Sequence, residues 1–168
     1  MGLFSRKPEL QDQALSELAQ MFAAPELVPD DPTPGADLLE ASRLDFTVES
    51  LALVDDYLDQ MRQRQLDEDA YVKVVLRCGA YVGEVVLRNA NAKGKSYHWL
   101  DFKGALKINK SLADFGESLG GAAILWDSAS GLSFPLAKVQ KFLDNGREDS
   151  VQFFAQVMIE KSDDENGA

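Results

Sequence analysis

The sequence holds one cysteine and one histidine in 168 residues. A single cysteine excludes an internal disulfide, and one cysteine with one histidine cannot build a nitrogen–sulfur metal cluster. No apolar run approaches the roughly 20 residues that a membrane helix needs. The opening MGLFSRKPEL has basic residues but no apolar core or small-residue cleavage site, so it does not read as a secretory signal. It misses the myristoylation pattern too, with Arg6 where Ser or Thr is required. ESLGGAA has neither the spacing of a dinucleotide loop nor the lysine of a P-loop. DSASG, around Ser128 and Ser130, lacks the strand-to-helix context of a nucleophile elbow. The expectation is a cytoplasmic protein with no metal, no cofactor and no membrane span.

Positive charge is also scarce. The net charge of −11 argues against a general nucleic-acid binder, because phosphate contacts need cations. The imbalance is uneven. Residues 1–69 carry 16 acidic and 5 basic side chains, whereas residues 70–147 carry 6 acidic and 11 basic. Acidic ends lying over a basic middle is the simplest reading; a basic surface for an anionic ligand or an acidic partner is the other.

What is present suits a globular chain: 45% of the residues are hydrophobic. Residues 1–23 end in a helix opened by Pro8, with Leu10, Ala14, Leu15, Leu18, Met21 and Phe22 as one apolar stripe. Residues 24–43 hold four prolines and several acids without a lasting period, and read as an extended linker. Residues 44–160 form the main domain, and residues 161–168 an acidic, solvated tail. The helix stripe must dock on its own domain, on a second copy or on a partner. Truncation of residues 1–42 is expected to leave a folded domain.

Within that domain LDF reads as a short strand, and Thr47 caps a helix to about Gln65 with Leu51, Val54, Tyr57, Leu58 and Met61 inward. YVKVVLRCGAYVGEVVLRN is too long for a strand and reads as a buried central helix. Gly79 and Gly83 lie one turn apart on it, where another segment can approach closely. SYHWLDF reads as a strand with ALKIN paired to it, and GAAILWD and GLSF as a hairpin across SAS. Pro135 starts a helix that stops at Asn145-Gly146. The last helix, about Glu148 to Ile159, turns Val151, Phe154, Val157 and Met158 inward. Helices followed by a small antiparallel sheet and further helices define an α+β fold.

Candidate chemistry gathers on a polar strip of the central helix: Lys73, Arg77, Glu84 and Arg88, edged by Tyr81. Glu84 and Arg88 are spaced i, i+4, acid first, which favours an exposed salt bridge over a catalytic acid. His98 and Trp99 follow on the next strand. Arg77, Tyr81, Glu84, Arg88, His98 and Trp99 form the one candidate ligand-binding set, and no catalytic residue is assigned. Cys78 falls on the apolar face and reads as a small buried hydrophobe. Asp55, Asp56 and Asp59 read as a solvated helix face. Arg88, Lys93, Lys95, Lys103, Lys107 and Lys110, interleaved with aromatics, suit either an anion site or lysines that blunt a sheet edge, and the second reading is the simpler.

GAYVGE, Trp99 and FPLAKVQKFLDNGREDSV, in that order, resemble small bacterial domains of unknown function. In these a G-x-Y-x-G-E helix precedes a tryptophan strand, and a proline-started helix ends in N-G before D-S. The resemblance covers Leu44 to Ile159 and implies a bacterial α+β protein without assigning an activity. Some neighbouring families are toxin-immunity proteins, small, acidic and non-catalytic. Together these readings favour a non-enzymatic module that binds another protein or a second copy of itself. The rival is a small-molecule or anion-binding domain built on the polar strip, with a hydrolase as its enzymatic form.

Overall fold

The computed structural model of the chain describes residues 8–164. The N-terminal residues before Pro8 and the tail residues 165–168 lie outside the described residues. Six α-helices surround a small sheet among the described residues: α1 (Pro8–Ala23), α2 (Leu51–Arg62), α3 (Glu68–Asn91), α4 (Phe102–Ile108), α5 (Pro135–Asn145) and α6 (Val151–Asp164). The strands β1 (His98–Leu100), β2 (Ile124–Asp127) and β3 (Gly131–Ser133) form one antiparallel sheet in that order. The fold is α+β.

Helix α3 is the axis of the molecule. Asp67 caps it by accepting the Ala70 N–H at 2.8 Å, and two acids in its first turn suit the helix dipole. Val74, Val75, Cys78, Val82, Val85 and Val86 are all fully buried. Helices α1, α5 and α6 pack on it from different sides. A Cβ on Gly79 would stand 2.8 Å from Leu136 Cδ1 and 3.0 Å from Leu136 Cα, so α5 could not lie where it does. A Cβ on Gly83 would overlap the Trp99 ring. The two glycines are therefore where α5 and β1 touch the central helix.

Helix α1 belongs to the same core. Leu15, Ala19, Phe22 and Ala23 are buried, and the Phe22 ring meets Tyr57 and Tyr81 at 5.4 Å each. Asp12 accepts the Trp99 backbone N–H at 2.7 Å, which satisfies the outer edge of β1. The expected stripe is only half used: Leu10 is 56% exposed and Ala14 is exposed as well.

Several local expectations change. The proline-rich segment 24–43 is folded down as three short 3-10 turns at Pro25–Leu27, Ala36–Leu38 and Ala41–Arg43. Long-range bonds hold it: Tyr57 donates to the Pro34 carbonyl at 2.6 Å, and Arg77 donates to the Asp31 carbonyl at 2.8 Å. LDF is a bend rather than a strand, with Phe46 at φ 61°. Thr47 Oγ1 accepts the Ser50 N–H, one turn ahead of α2, and α2 ends at Arg62 rather than Gln65. ALKIN lies in α4 and its C-cap and does not pair with β1, because Asp101 Oδ1 accepts the Gly104 N–H at 2.7 Å and starts a helix there. Residue 164 still belongs to α6, so the helix continues into the expected tail. On α6 Val151, Phe154 and Met158 face the core as expected, joined by the buried Ala155 and Ile159, while Val157 is 40% exposed. The SAS hairpin and the span of α5 agree with the sequence reading, and Gly146 ends α5 at φ 89°.

Candidate functional site

The polar strip meets water at its ends, where the Lys73 and Arg88 side chains are 37% exposed, but not between them. Arg77, Tyr81 and Glu84 are all buried, covered by the segments that run over α3. Each has a partner that explains its burial. Arg77 donates to the Asp31 carbonyl and to Thr33 Oγ1, and pairs with Asp31 Oδ2 at 2.8 Å. Lys73 joins the same carboxylate, and this hydrogen bond heads the interactions that hold the Asp31 carboxyl below its ordinary value. Arg77 and Lys73 thus fasten the 24–43 segment to the central helix.

Tyr81, Glu84 and Arg88 meet one turn further on, around Phe46. The Ser50 hydroxyl donates to the Thr47 carbonyl at 2.6 Å, which leaves Ser50 Oγ to accept the Tyr81 hydroxyl at 2.7 Å. The Tyr81 oxygen in turn accepts the Phe46 N–H at 3.1 Å. Burial, the largest influence, pushes the Tyr81 phenol above its ordinary pKa. Asn89 donates to the Phe46 carbonyl at 3.0 Å. The Arg88 guanidinium lies 3.7 Å from the Phe46 ring centroid and 3.3 Å from Glu84 Oε1. Phe46 is gripped by its N–H, its carbonyl and its ring, which is how a non-glycine residue is held at positive φ.

His98 and Trp99 are separated from that cluster and from each other, since consecutive residues of a strand point to opposite faces. Trp99 is fully buried against Gly83. His98 is partly exposed and stands edge-on to Trp126 at 5.1 Å. The six candidate residues therefore occupy three places: Arg77 under the 24–43 segment, Tyr81, Glu84 and Arg88 around Phe46, and His98 and Trp99 on the two faces of β1. No described opening gathers them.

Acidic side chains carry structural roles that the sequence reading did not assign. Asp55 accepts the Ser150 hydroxyl at 2.5 Å and the Val151 N–H at 2.8 Å, which starts α6. Burial pushes its carboxyl up, against the lowering pull of those two donors. Its position offered a weak signal: Asp55 is 40° from Leu51 on the helical wheel, at the edge of the apolar arc and next to the core. Asp127 accepts the N–H groups of Ser96, Ala129 and Ser130. Burial works against its charge, but those donors together hold its carboxyl below the ordinary value. Asp56 and Asp59 do lie near solvent, paired with Arg147. Cys78 is fully buried, and desolvation raises its thiol well above the ordinary value, so it does not form a thiolate at neutral pH.

Two surfaces remain on which large apolar side chains are left exposed. The first is an open groove of about 440 Å³ along the outer side of α1, lined by Gln13, Ser16, Glu17, Gln20, Met21, Leu27 and Val28. Leu10 and Met21 fall within 20° of each other around α1 but about three turns apart, so Leu10 lies on the same side of the helix beyond the groove's lining. Leu27, 62% exposed, stands on the opposite rim. The second is the segment from Lys103 to Ser118, in which Phe115 is 84% and Ile108 44% exposed. Lys103, Lys107 and Lys110 project from it, and none forms an ion pair with a described carboxylate.

No family model, curated protein or solved structure matches the chain.

Proposed function

We propose that this protein is a non-enzymatic interaction module that binds another polypeptide through the groove on α1. The observation that carries this reading is the apolar stripe of α1, which is wider than its own domain covers. Leu15, Ala19 and Phe22 are buried, while Leu27 lines the groove with Met21 at 62% exposure and Leu10, further along the same side of α1, is 56% exposed. Apolar side chains left in water beside a groove are the usual anchors of a polypeptide partner. The polar strip supports the same reading from the other side: Arg77 and Tyr81 bond neighbouring segments, and Glu84 accepts from Arg88 on its own helix. The resemblance to small bacterial domains of unknown function, some of whose neighbouring families are acidic, non-catalytic immunity proteins, suits an accessory role of this kind.

The test is affinity capture in the native host with the full chain and with Leu27→Asp, followed by mass spectrometry. A protein retained by the parent and lost by the variant, with unchanged circular dichroism, is the expected result. An identical retained set for both chains overturns the groove as the binding surface.

A further inference from the structure

We infer that one internal water molecule is a fixed part of this fold, bound at the start of α5 between the Trp99 indole N–H and the Ser133 hydroxyl. This site is separate from the groove on α1. Trp99 is fully buried and Ser133 is 4% exposed. Yet neither Trp99 Nε1 nor Ser133 Oγ has a hydrogen-bond partner among the described residues. Folded chains rarely leave buried donors and acceptors unpaired, and internal waters bond such groups.

The sheet puts both groups on one face. Trp99 pairs with Leu125, and Leu125 with Ser133, so the three side chains form one row across β1, β2 and β3. That row meets the central helix: a Cβ on Gly83 would overlap Trp99 Cη2 and Cζ2 and stand 3.2 Å from Pro135 Cγ. Cζ2 is bonded to the ring carbon that carries Nε1, and Pro135 lies two residues beyond Ser133. The same corner holds the N-terminus of α5. Pro135 has no N–H and Phe134 supplies no side-chain cap, so the N–H groups of Leu136 and Ala137 are uncapped in the first turn. A water that accepts from Trp99 Nε1 and from one of these N–H groups, and donates to Ser133 Oγ, makes three bonds, the usual number for an internal water.

Water suits the place better than an ion. The indole and the helix end are donors and would accept an anion, but a buried anion needs a compensating cation. Arg77, the buried cation among the described residues, is already engaged by Asp31. A neutral molecule that both accepts and donates meets the requirement without a charge. Tyr97 Oη, the remaining buried side-chain atom without a bond among the described residues, belongs elsewhere, beside the Ser130 hydroxyl at the β2–β3 turn.

In nuclear magnetic resonance of the isotope-labelled full chain, the Trp99 indole N–H should show a cross-peak to a long-lived water. Trp126 is only partly buried, and Trp126→Phe tells the two indole signals apart. Ser133→Ala removes a single oxygen and leaves the packing in place. It should move the Trp99 indole signal, weaken its water cross-peak and lower the melting temperature by about 2–4 °C, as the loss of one buried partner does in a chain of this size. A crystal structure of the parent should place one water within hydrogen-bond distance of both Nε1 and Oγ. A Trp99 indole N–H without that cross-peak overturns the inference, and so does a Ser133→Ala variant whose indole signal and melting temperature stay where they were. A direct bond from Nε1 to Oγ in the crystal overturns it as well. An anomalous signal at the same place from crystals grown in bromide would put an anion there instead of water, with the same consequence.

Discussion

The middle of α3 and the segment after β1 are built from similar side chains and put them to opposite use. Arg77, Tyr81, Glu84 and Arg88 on α3 look like a binding strip, yet each has a partner within the chain: Asp31, Ser50, Arg88 and Phe46. Lys103, Lys107, Lys110 and Phe115 have comparable chemistry, yet they point outward and carry no internal ion pair among the described residues. A guanidinium or an aromatic ring marks a candidate site only when nothing in the fold already claims it. Burying a charge without a partner is expensive, so a buried arginine implies its carboxylate before it implies a ligand.

The comparison predicts large effects where α3 is covered. Removal of residues 1–42 takes away Leu15, Ala19 and Phe22 from the core, together with the Asp12 and Asp31 contacts. We expect the remainder to lose cooperative unfolding, since truncating one buried phenylalanine alone costs about 3–5 kcal/mol. A sharp thermal transition in the truncated chain would show that α1 is an accessory to the core rather than part of it. Gly79→Leu should cost about 3 kcal/mol, because the new side chain meets the Leu136 backbone as well as its side chain. Chemical denaturation of the parent and the variant measures that difference.

GAYVGE, Trp99 and FPLA turn out to be parts of one junction. Gly79 receives Leu136, Gly83 receives Trp99 and Pro135, and Tyr81 bonds the turn before α2. The sequence made the glycine contacts legible, because two glycines one turn apart on an apolar helix need a close neighbour. It also marked α5, with proline at one end and Asn-Gly at the other. The 24–43 segment was not legible, because its anchors, Tyr57 and Arg77, lie far along the chain. The same limit hid the burial of Glu84: the i, i+4 spacing to Arg88 was visible, but the segment 44–50 that packs beside it through Phe46 was not. ALKIN was misread for a local reason, since the Asp101 cap outweighed the alternating pattern.

Medium effects should follow from single acids inside the fold. Asp127→Asn should cost about 2 kcal/mol at neutral pH, because the carboxylate accepts three backbone N–H groups and an amide reproduces them poorly. The Asp127 carboxyl is lowered in the folded state, so its contribution is present above the ordinary value of 3.8 and is lost as pH falls through the folded value. The gap between parent and variant should therefore shrink in acid. A gap that stays constant from neutral pH down to acid would show that the charge at Asp127 does not matter. Glu84→Gln should cost about 1 kcal/mol, since Arg88 keeps its place over Phe46 and part of its solvent contact. A loss of several kcal/mol would mean that the Phe46 turn depends on the Glu84 charge.

The smallest effect on stability is expected at the most exposed aromatic ring. Phe115 is 84% exposed, so replacing it with serine removes almost no buried apolar surface. Phe115→Ser should change the unfolding free energy by less than about 0.5 kcal/mol, as surface substitutions usually do. The same variant should leave the circular dichroism spectrum unchanged, because the ring lies outside the buried core. Gly79→Leu thus reports on contacts inside the fold, and Phe115→Ser on a surface the fold leaves free. Destabilisation of Phe115→Ser by more than about 1 kcal/mol would place the ring in a folded contact. Its exposure would then no longer argue for a partner, and the distinction between the two regions would fail at its most exposed residue.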